Sequence, residues 1–317
     1  MSVPAPIQPR VTILLSTFQG EAFVDEQLMS LFTQDWPHVR IVVRDDGSTD
    51  GTWRRLEAHG ADGRIVAIRG ENIGPLYSFL SLLDHAEDSD VIMFADQDDV
   101  WHTDKVRRAV ETLGRIRPGL PALYCSGLEV VDASMKTVGQ SPKWPRRPSF
   151  GNALVENVAT GCTIALNRPA VELIKSTEWP RAAVMHDWWC YLVAAAFGEV
   201  VYDPEPSLKY RQHGSNAVGI QTDHVARLAA RIRRQMETSV LTKMLAQARE
   251  FDRLFGARLD PEKRSILNRF TGIDAPRGRL RFLASRDVRR QFAADTVALK
   301  GLVLLSGRHR LEPSSRR

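Results

Sequence analysis

The sequence predicts an α/β protein: a Rossmann-like, mostly parallel sheet with helices on both faces, followed by a basic α-helical C-terminal extension. Three observations predict it. Over the first hundred residues, short and nearly continuous apolar runs alternate with stretches of helical spacing, the pattern of strands buried on both faces by crossover helices. Four of those runs end in polar clusters rich in Asp, Ser and Gly. Charge then divides the chain: from Gln221 onward lie 22 of the 43 Lys and Arg but 10 of the 38 Asp and Glu, so that stretch carries +12 and the first 220 residues −7. Two parts are expected, a sheet-bearing domain over 1–220 and a basic helical region over 221–317.

Taken in order, Val11-Thr-Ile-Leu-Leu-Ser16 is the first strand, and Phe23, Gln27, Leu28, Leu31 and Phe32 mark the helix after it. Strands follow at Arg40–Arg44, Arg64–Ile68 and Asp90–Phe94, with Leu76, Phe79, Leu80 and Leu83 marking the helix before the last of these. A helix over Lys105 to Leu113 ends near Pro118 and Gly119. Shorter strand-like pieces come next, at Ala122–Ser126, Gly127–Val131 and Thr163–Leu166, with a Pro- and Arg-rich surface loop over Ser141–Pro148. A helix from His186 to Phe197 and strands near Val200 and Leu208 complete the domain. Beyond it, apolar residues at 225, 228, 232, 236, 240, 244, 248, 251 and 255 predict one long amphipathic helix, and a second basic helical stretch covers Arg279 to Leu305.

Composition narrows the function classes. At 43% hydrophobic and 26% charged, the 317-residue chain is neither disordered nor collagen-like. Cys125, Cys162 and Cys190 are too scattered for a disulfide framework or a CxxC metal site, which makes a reducing compartment the default expectation. The first ten residues hold three prolines and no apolar h-region, and the run Val297–Leu305 is far short of a membrane span. The expected location is cytoplasmic, with peripheral contact on the inner face of the cell membrane.

In an open parallel sheet, ligands bind at the carboxyl ends of the strands. The four clusters there are Ser16-Thr-Phe-Gln-Gly-Glu21, Asp45-Asp-Gly-Ser-Thr-Asp-Gly-Thr52, Arg69-Gly-Glu-Asn-Ile-Gly74 and Ala95-Asp-Gln-Asp-Asp99. Any one of them alone could be a helix cap and a turn. Four in succession on one edge point to a site. Neither GxGxxG nor GxxxxGK[ST] follows any strand, so dinucleotide and P-loop readings lose support. A bound diphosphate must then be neutralised another way, and Asp96, Asp98 and Asp99 offer the oxygen ligands a hard divalent cation takes.

These blocks, with Phe94-Ala-Asp-Gln-Asp-Asp-Val-Trp101, Met185-His-Asp-Trp-Trp189 and Tyr210-Arg-Gln-His-Gly-Ser-Asn216, resemble the family 2 glycosyltransferases of the GT-A fold. The Asp-Gln-Asp-Asp-Val-Trp form resembles the rhamnosyltransferase branch, which uses a nucleoside-diphosphate rhamnose. The motifs cover about residues 11 to 217. One departure is Phe18-Gln19, where the family more often has Tyr-Asn. The resemblance implies a donor site in which Thr17, Glu21, Asp45, Asp46 and Ser48 surround base and ribose. Asn72 and Gly74 close the donor pocket, and Asp96 and Gln97 face the donor. It also implies Mn²⁺ or Mg²⁺ as cofactor, with Asp98 as direct ligand and His213 completing the shell.

An inverting transfer needs one carboxylate to take the acceptor hydroxyl's proton, and that role falls to Asp187. At the start of a helix, its pKa is expected to be depressed by the dipole. Gly161, Cys162, Trp188 and His186 are assigned to the acceptor side, with Cys162 as packing rather than a nucleophile and one of the adjacent Trp188 and Trp189 as core. The implied partners are a nucleoside-diphosphate sugar, with dTDP-L-rhamnose the first expectation and a UDP- or GDP-linked sugar the alternative, and a glycan acceptor, free or lipid-linked. A non-catalytic sugar-nucleotide-binding protein is the rival from another class. No nucleic acid is expected. Arg277, Arg279, Arg281, Arg286, Arg289 and Arg290 among Leu280, Phe282, Leu283 and Phe292 suggest contact with anionic lipid, the alternative being that the apolar stripe of this region packs on the sheet domain or on a second copy.

Overall fold

The structure, a computed structural model, describes residues 8–212 and 238–306. Its first half is the expected alternation: β1 (Val11–Thr17), α1 (Val24–Phe32), β2 (Val39–Asp45), α2 (Thr52–Ala61), β3 (Val66–Arg69), α3 (Gly74–Leu82) and β4 (Val91–Ala95). These strands pair in parallel in the order β3-β2-β1-β4, so all four polar clusters do reach one edge. The continuous apolar character of the strands has its reason in the pleat, because successive side chains point to opposite faces. Ile13, Leu15, Ile41, Val43 and Met93 enter one core with Val24 and Leu28 of α1. Leu14, Val42, Ile92 and Phe94 enter the other, with Phe79 and Leu80 of α3.

The second half of the sheet is mixed. It comprises β5 (Val100–Trp101), β6 (Ala122–Val131), β7 (Thr137–Gln140), β8 (Ala165–Asn167) and β9 (Glu199–Arg211), with helices α4 (Lys105–Leu113), α5 (Phe150–Ala153), α6 (Arg168–Lys175) and α7 (His186–Phe197). Strand β8 runs antiparallel to both β4 and β6, while β9 runs parallel to β6 and antiparallel to β5. Two expectations are corrected here. The pieces at 122–126 and 127–131 are one strand, as are those near Val200 and Leu208, because the β6–β9 register shifts around Ser126–Glu129 without breaking the pairing. Gly127 permits this, since a Cβ there would lie 2.7 Å from the Pro204 carbonyl oxygen.

The C-terminal helices are α8 (Thr238–Phe255), α9 (Pro261–Thr271), α10 (Pro276–Ala284) and α11 (Ala293–Ser306). The single basic helix expected over 279–305 is interrupted at Ser285–Phe292. The break is held by tertiary bonds: the Arg290 and Gln291 amide groups donate to Thr296 and Glu156, and the Arg146 guanidinium caps the Arg290 carbonyl. The apolar stripe of α8 lies on the sheet domain. Phe251 is fully buried, with its ring 5.5 Å from Phe150, 6.0 Å from Trp189 and 5.4 Å from Phe255. Phe251→Ala is therefore expected to cost ~3–5 kcal/mol, measurable as a lowered urea midpoint. A loss below about 1 kcal/mol would mean that α8 is not part of the core.

Candidate active site

At the edge where β1 to β4 end, loops are tied to one another through side chains. Asp45 is fully buried and spends its carboxylate on the turn that follows, accepting from Thr17 Oγ1 (3.1 Å) and the Ser48 amide (3.0 Å). Asp46 accepts from the amides of Ile73 (3.1 Å) and Gly74 (2.9 Å) and pairs with Arg44. Gly74 sits at φ +78°, a conformation that favours glycine, and its amide is also 3.2 Å from Asn72 Oδ1. Glu21 accepts from the Gly51 amide at 2.9 Å and lies 3.7 Å from Arg54 and Arg55. Gln97 makes a two-point clasp on the Phe18 backbone, at 2.8 and 3.0 Å. The predicted donor residues are thus brought together on one rim. Many of their polar atoms are used in building it.

Gln19 plays an unforeseen part. It adopts φ +52°, uncommon for a residue with a side chain, and its side chain repays the strain by accepting from the Thr49 and Asp50 amides and donating to Thr49 Oγ1. This residue stands where the first polar cluster departs from the commoner Tyr-Asn, which was the signal available in the sequence.

Next to this rim is an acidic centre. Burial, followed by the charges of Asp98 and Asp187, raises the Asp96 carboxyl to about 7. Asp187, which acts on Asp96 here, lies more than ninety positions further along the chain. Asp99 is fully buried and neither of its oxygens has a nitrogen or hydroxyl donor; burial, then Asp96 and Asp98, hold its pKa well above the carboxylate range. Asp96, Asp99 and Cys162 place ligand atoms within 4.8 Å of one another, a set that does not contain Asp98. Two neighbouring carboxylates, with the charge of Asp98 bearing on both, fit a hard divalent cation. The Cys162 thiol, pushed up by burial and by Asp99 and Asp96, stays protonated.

Two cations stand behind the acids, and neither was foreseen. Lys105 is fully buried, donating to the Cys162 carbonyl (2.7 Å) and Ser207 (3.2 Å) with its ammonium 4.3 Å over the Trp101 ring; burial lowers it to about 8. Arg211, at the end of β9, donates from Nε to the Asp98 carbonyl at 3.0 Å and pairs with Glu26. It holds the loop that carries Asp98.

Asp187 begins α7. Its oxygens accept from the amides of Gly161 (3.1 Å) and Trp188 (2.6 Å). The expected depression of its pKa is wrong in sign. Burial outweighs the hydrogen bonds from Trp188, Asn157 and Gly161 and raises it to about 6. It is still mostly ionised at neutral pH, and it is a stronger base for being raised.

The acceptor-side assignments need correction in part. His186 is 4% exposed, stacked 3.9 Å from Phe79 and edge-on to Phe94 at 5.1 Å, and burial drives its pKa down to about 3. Cys162 is fully buried. Both side chains are thus packed in the interior rather than presented to solvent. Gly161 allows the approach, since a Cβ there would lie 3.0 Å from His186 Nε2. Trp188 is half-buried and donates to the Ala153 carbonyl at 2.6 Å, whereas Trp189 is core. His213 lies outside the described residues.

Comparison with known proteins gives the same direction. The family model described as Glycosyl transferase family 2 matches residues 12–172. The chain is 27% identical to the dTDP-rhamnosyl transferase RfbG of Shigella flexneri over 223 residues, 65% of this chain and 73% of that protein. It is 29% identical to the putative teichuronic acid biosynthesis glycosyltransferase TuaG of Bacillus subtilis over 106 residues, 33% of this chain and 42% of that one. Among solved structures, Staphylococcus aureus TarS 1-349 in complex with UDP-GlcNAc superposes with a TM-score of 0.55 at 15% identity, over 94% of this chain and 91% of that one. The mannosyltransferase PcManGT from Pyrobaculum calidifontis, in complex with GDP-Man and Mn²⁺, does so at 0.53 and 18% identity, over 97% and 89%. At these identities the likeness is one of fold.

Proposed function

Since the chain belongs to glycosyl transferase family 2, we propose that it is a metal-dependent, inverting enzyme that moves L-rhamnose from dTDP-rhamnose to a hydroxyl of a surface polysaccharide or lipid-linked glycan. The reading is supported by Asp96, just after β4, which lies within electrostatic reach of both Asp98 and Asp187, and by the Asp187 carboxyl raised to about 6. The rhamnosyl donor is supported by the similarity to RfbG.

Asp187 takes the proton of the acceptor hydroxyl as that oxygen attacks the anomeric carbon. The bond from that carbon to the leaving phosphate oxygen breaks on the opposite face, and the electron pair departs with the nucleoside diphosphate. The amides of Gly161 and Trp188 hold the carboxylate in place for this. Asp98, assisted by Asp96, would hold a divalent cation, Mn²⁺ or Mg²⁺, whose charge neutralises a leaving diphosphate. Thr17, Glu21, Asp45, Asp46, Ser48, Asn72, Gly74 and Gln97 are the proposed base and ribose rim, and Gly161 and Trp188 are the residues left on the acceptor side.

Donor identity is tested by thermal denaturation with Mn²⁺ and a panel of nucleotide sugars. A ligand at a hundredfold excess over Kd stabilises the native state by about 2.7 kcal/mol, a rise of a few degrees in Tm. The largest rise is expected for dTDP-rhamnose and only with the metal present. A larger rise with a UDP- or GDP-sugar would replace rhamnose, and binding without any transfer to a glycan acceptor would favour a non-catalytic role.

A further inference from the structure

Helix α11 has two apolar faces. Asp295, Leu299 and Val303 turn inward, and on the other side Val297, Leu304 and Leu305 are 70%, 61% and 57% exposed. Residues 297, 301, 304 and 305 fall on one stripe at helical spacing, and that stripe carries no charge over its length. The neighbouring α10 presents Arg277, Leu280 and Arg281 outward, with Leu280 68% exposed. Lys300 locks the two helices together by donating to the Leu283 and Ser285 carbonyls, at 2.7 and 2.8 Å. Arg286 and Arg289, between the helices, are exposed as well. None of Arg277, Arg281, Arg286 and Arg289 forms an ion pair among the described residues, whereas Arg249 and Arg269 nearby pair with Asp274 and Asp287.

We infer that the outward faces of α10 and α11 form a docking surface for an anionic lipid bilayer. Exposed aliphatic side chains beside arginines that have no ion-pair partner among the described residues are what an interfacial helix requires, with the apolar residues entering the acyl boundary and the guanidinium groups meeting headgroup phosphates. Fourteen residues of helix extend about 21 Å, too short for a hydrocarbon core of about 30 Å, and no helix among the described residues is long and apolar enough to cross a membrane. The surface therefore lies on a bilayer rather than through it. Other occupants fit less well. Residues 213–237 carry Arg227, Arg231, Arg233 and Arg234 against Asp223 and Glu237, so they would be repelled by the same arginines, as would a second copy. Nucleic acid would use the arginines and leave Val297, Leu304 and Leu305 in water.

The inference does not depend on which sugar is transferred, and its test reads binding alone. The full chain is floated with phosphatidylcholine vesicles and with vesicles containing about one-third phosphatidylglycerol, at low and high salt. Binding is expected only to the anionic vesicles and to weaken as salt rises. Arg277→Gln with Arg281→Gln should weaken partitioning by about fivefold per arginine removed. The triple change Val297→Gln, Leu304→Gln, Leu305→Gln should abolish it, with Tm and the circular dichroism spectrum unchanged because every replaced side chain is exposed. Binding equal on neutral vesicles, no binding at all, or retention by both variants would overturn the proposal. So would a wild-type dimer that the triple variant dissolves, or nucleic-acid binding that the arginine changes remove while vesicle binding persists.

Discussion

Asp187→Asn is expected to lower kcat by about 10³-fold, within the range that a positioned general base contributes, while the Kd for the nucleotide sugar stays within a fewfold. The amide cannot take the acceptor's proton. A second effect separates this loss from simple unfolding. In the native site both carboxylate oxygens accept from backbone amides, Gly161 on one and Trp188 on the other. An Asn side chain has one accepting oxygen, so its NH₂ must face an N–H group, which costs about 1–3 kcal/mol of stability. The variant should thus melt a few degrees lower yet remain folded and competent for donor. Wild-type kcat/KM should fall tenfold per pH unit below about 6, because protonation of Asp187, which its burial brings up to that value, removes the base. A flat profile down to pH 4, or an Asn variant that loses donor affinity and keeps turnover, would assign the proton transfer elsewhere.

The sign of that pKa marks where sequence reasoning stops. Being the second residue of a helix is a local property, and it argues for a depressed value. Burial is tertiary, and here it wins. The same division holds elsewhere. The parallel half of the sheet and its ligand-binding edge were legible because pleat, apolar runs and turn residues are all short-range signals. The basic stretch over 279–305 read as one helix because Ser285 to Phe292 contains neither Pro nor Gly, and the bonds that open it come from Arg146 and Glu156, more than a hundred residues away. In the sequence Lys105 is a helix start and Arg211 one member of the Tyr210–Asn216 block. Their roles behind the acids depend on Cys162, Ser207 and Asp98 arriving from other parts of the chain. His186 belongs to the same Met185–Trp189 block as Asp187, but neighbours on a helix diverge by about 100°, and its ring turns to Phe79 and Phe94 instead.

Asp98→Asn carries the second large expected effect, a loss of about 10²–10³-fold in Mn²⁺-dependent turnover, in line with the several kcal/mol a metal ion contributes to a developing anion. The acids explain why the effect should be this large and why it should be specific. Burial penalises charge on Asp96, Asp99 and Asp187, and the charge of Asp98 bears on both Asp96 and Asp99, while Lys105 supplies a single ammonium with its own pKa lowered to about 8. Removing Asp98 lightens the repulsion on Asp96 but deletes the acid whose backbone Arg211 fixes at the end of β9. Asp99→Asn is the matching control. Its side chain is fully buried and held towards the neutral form, so an isosteric amide changes the local charge little and should leave turnover within about tenfold. Titrating Mn²⁺ against both variants, and reading donor-dependent stabilisation alongside turnover, distinguishes the two positions. If Asp99→Asn proved the more damaging of the two, the cation would belong with Asp96 and Asp99, and the assignment of Asp98 would fall.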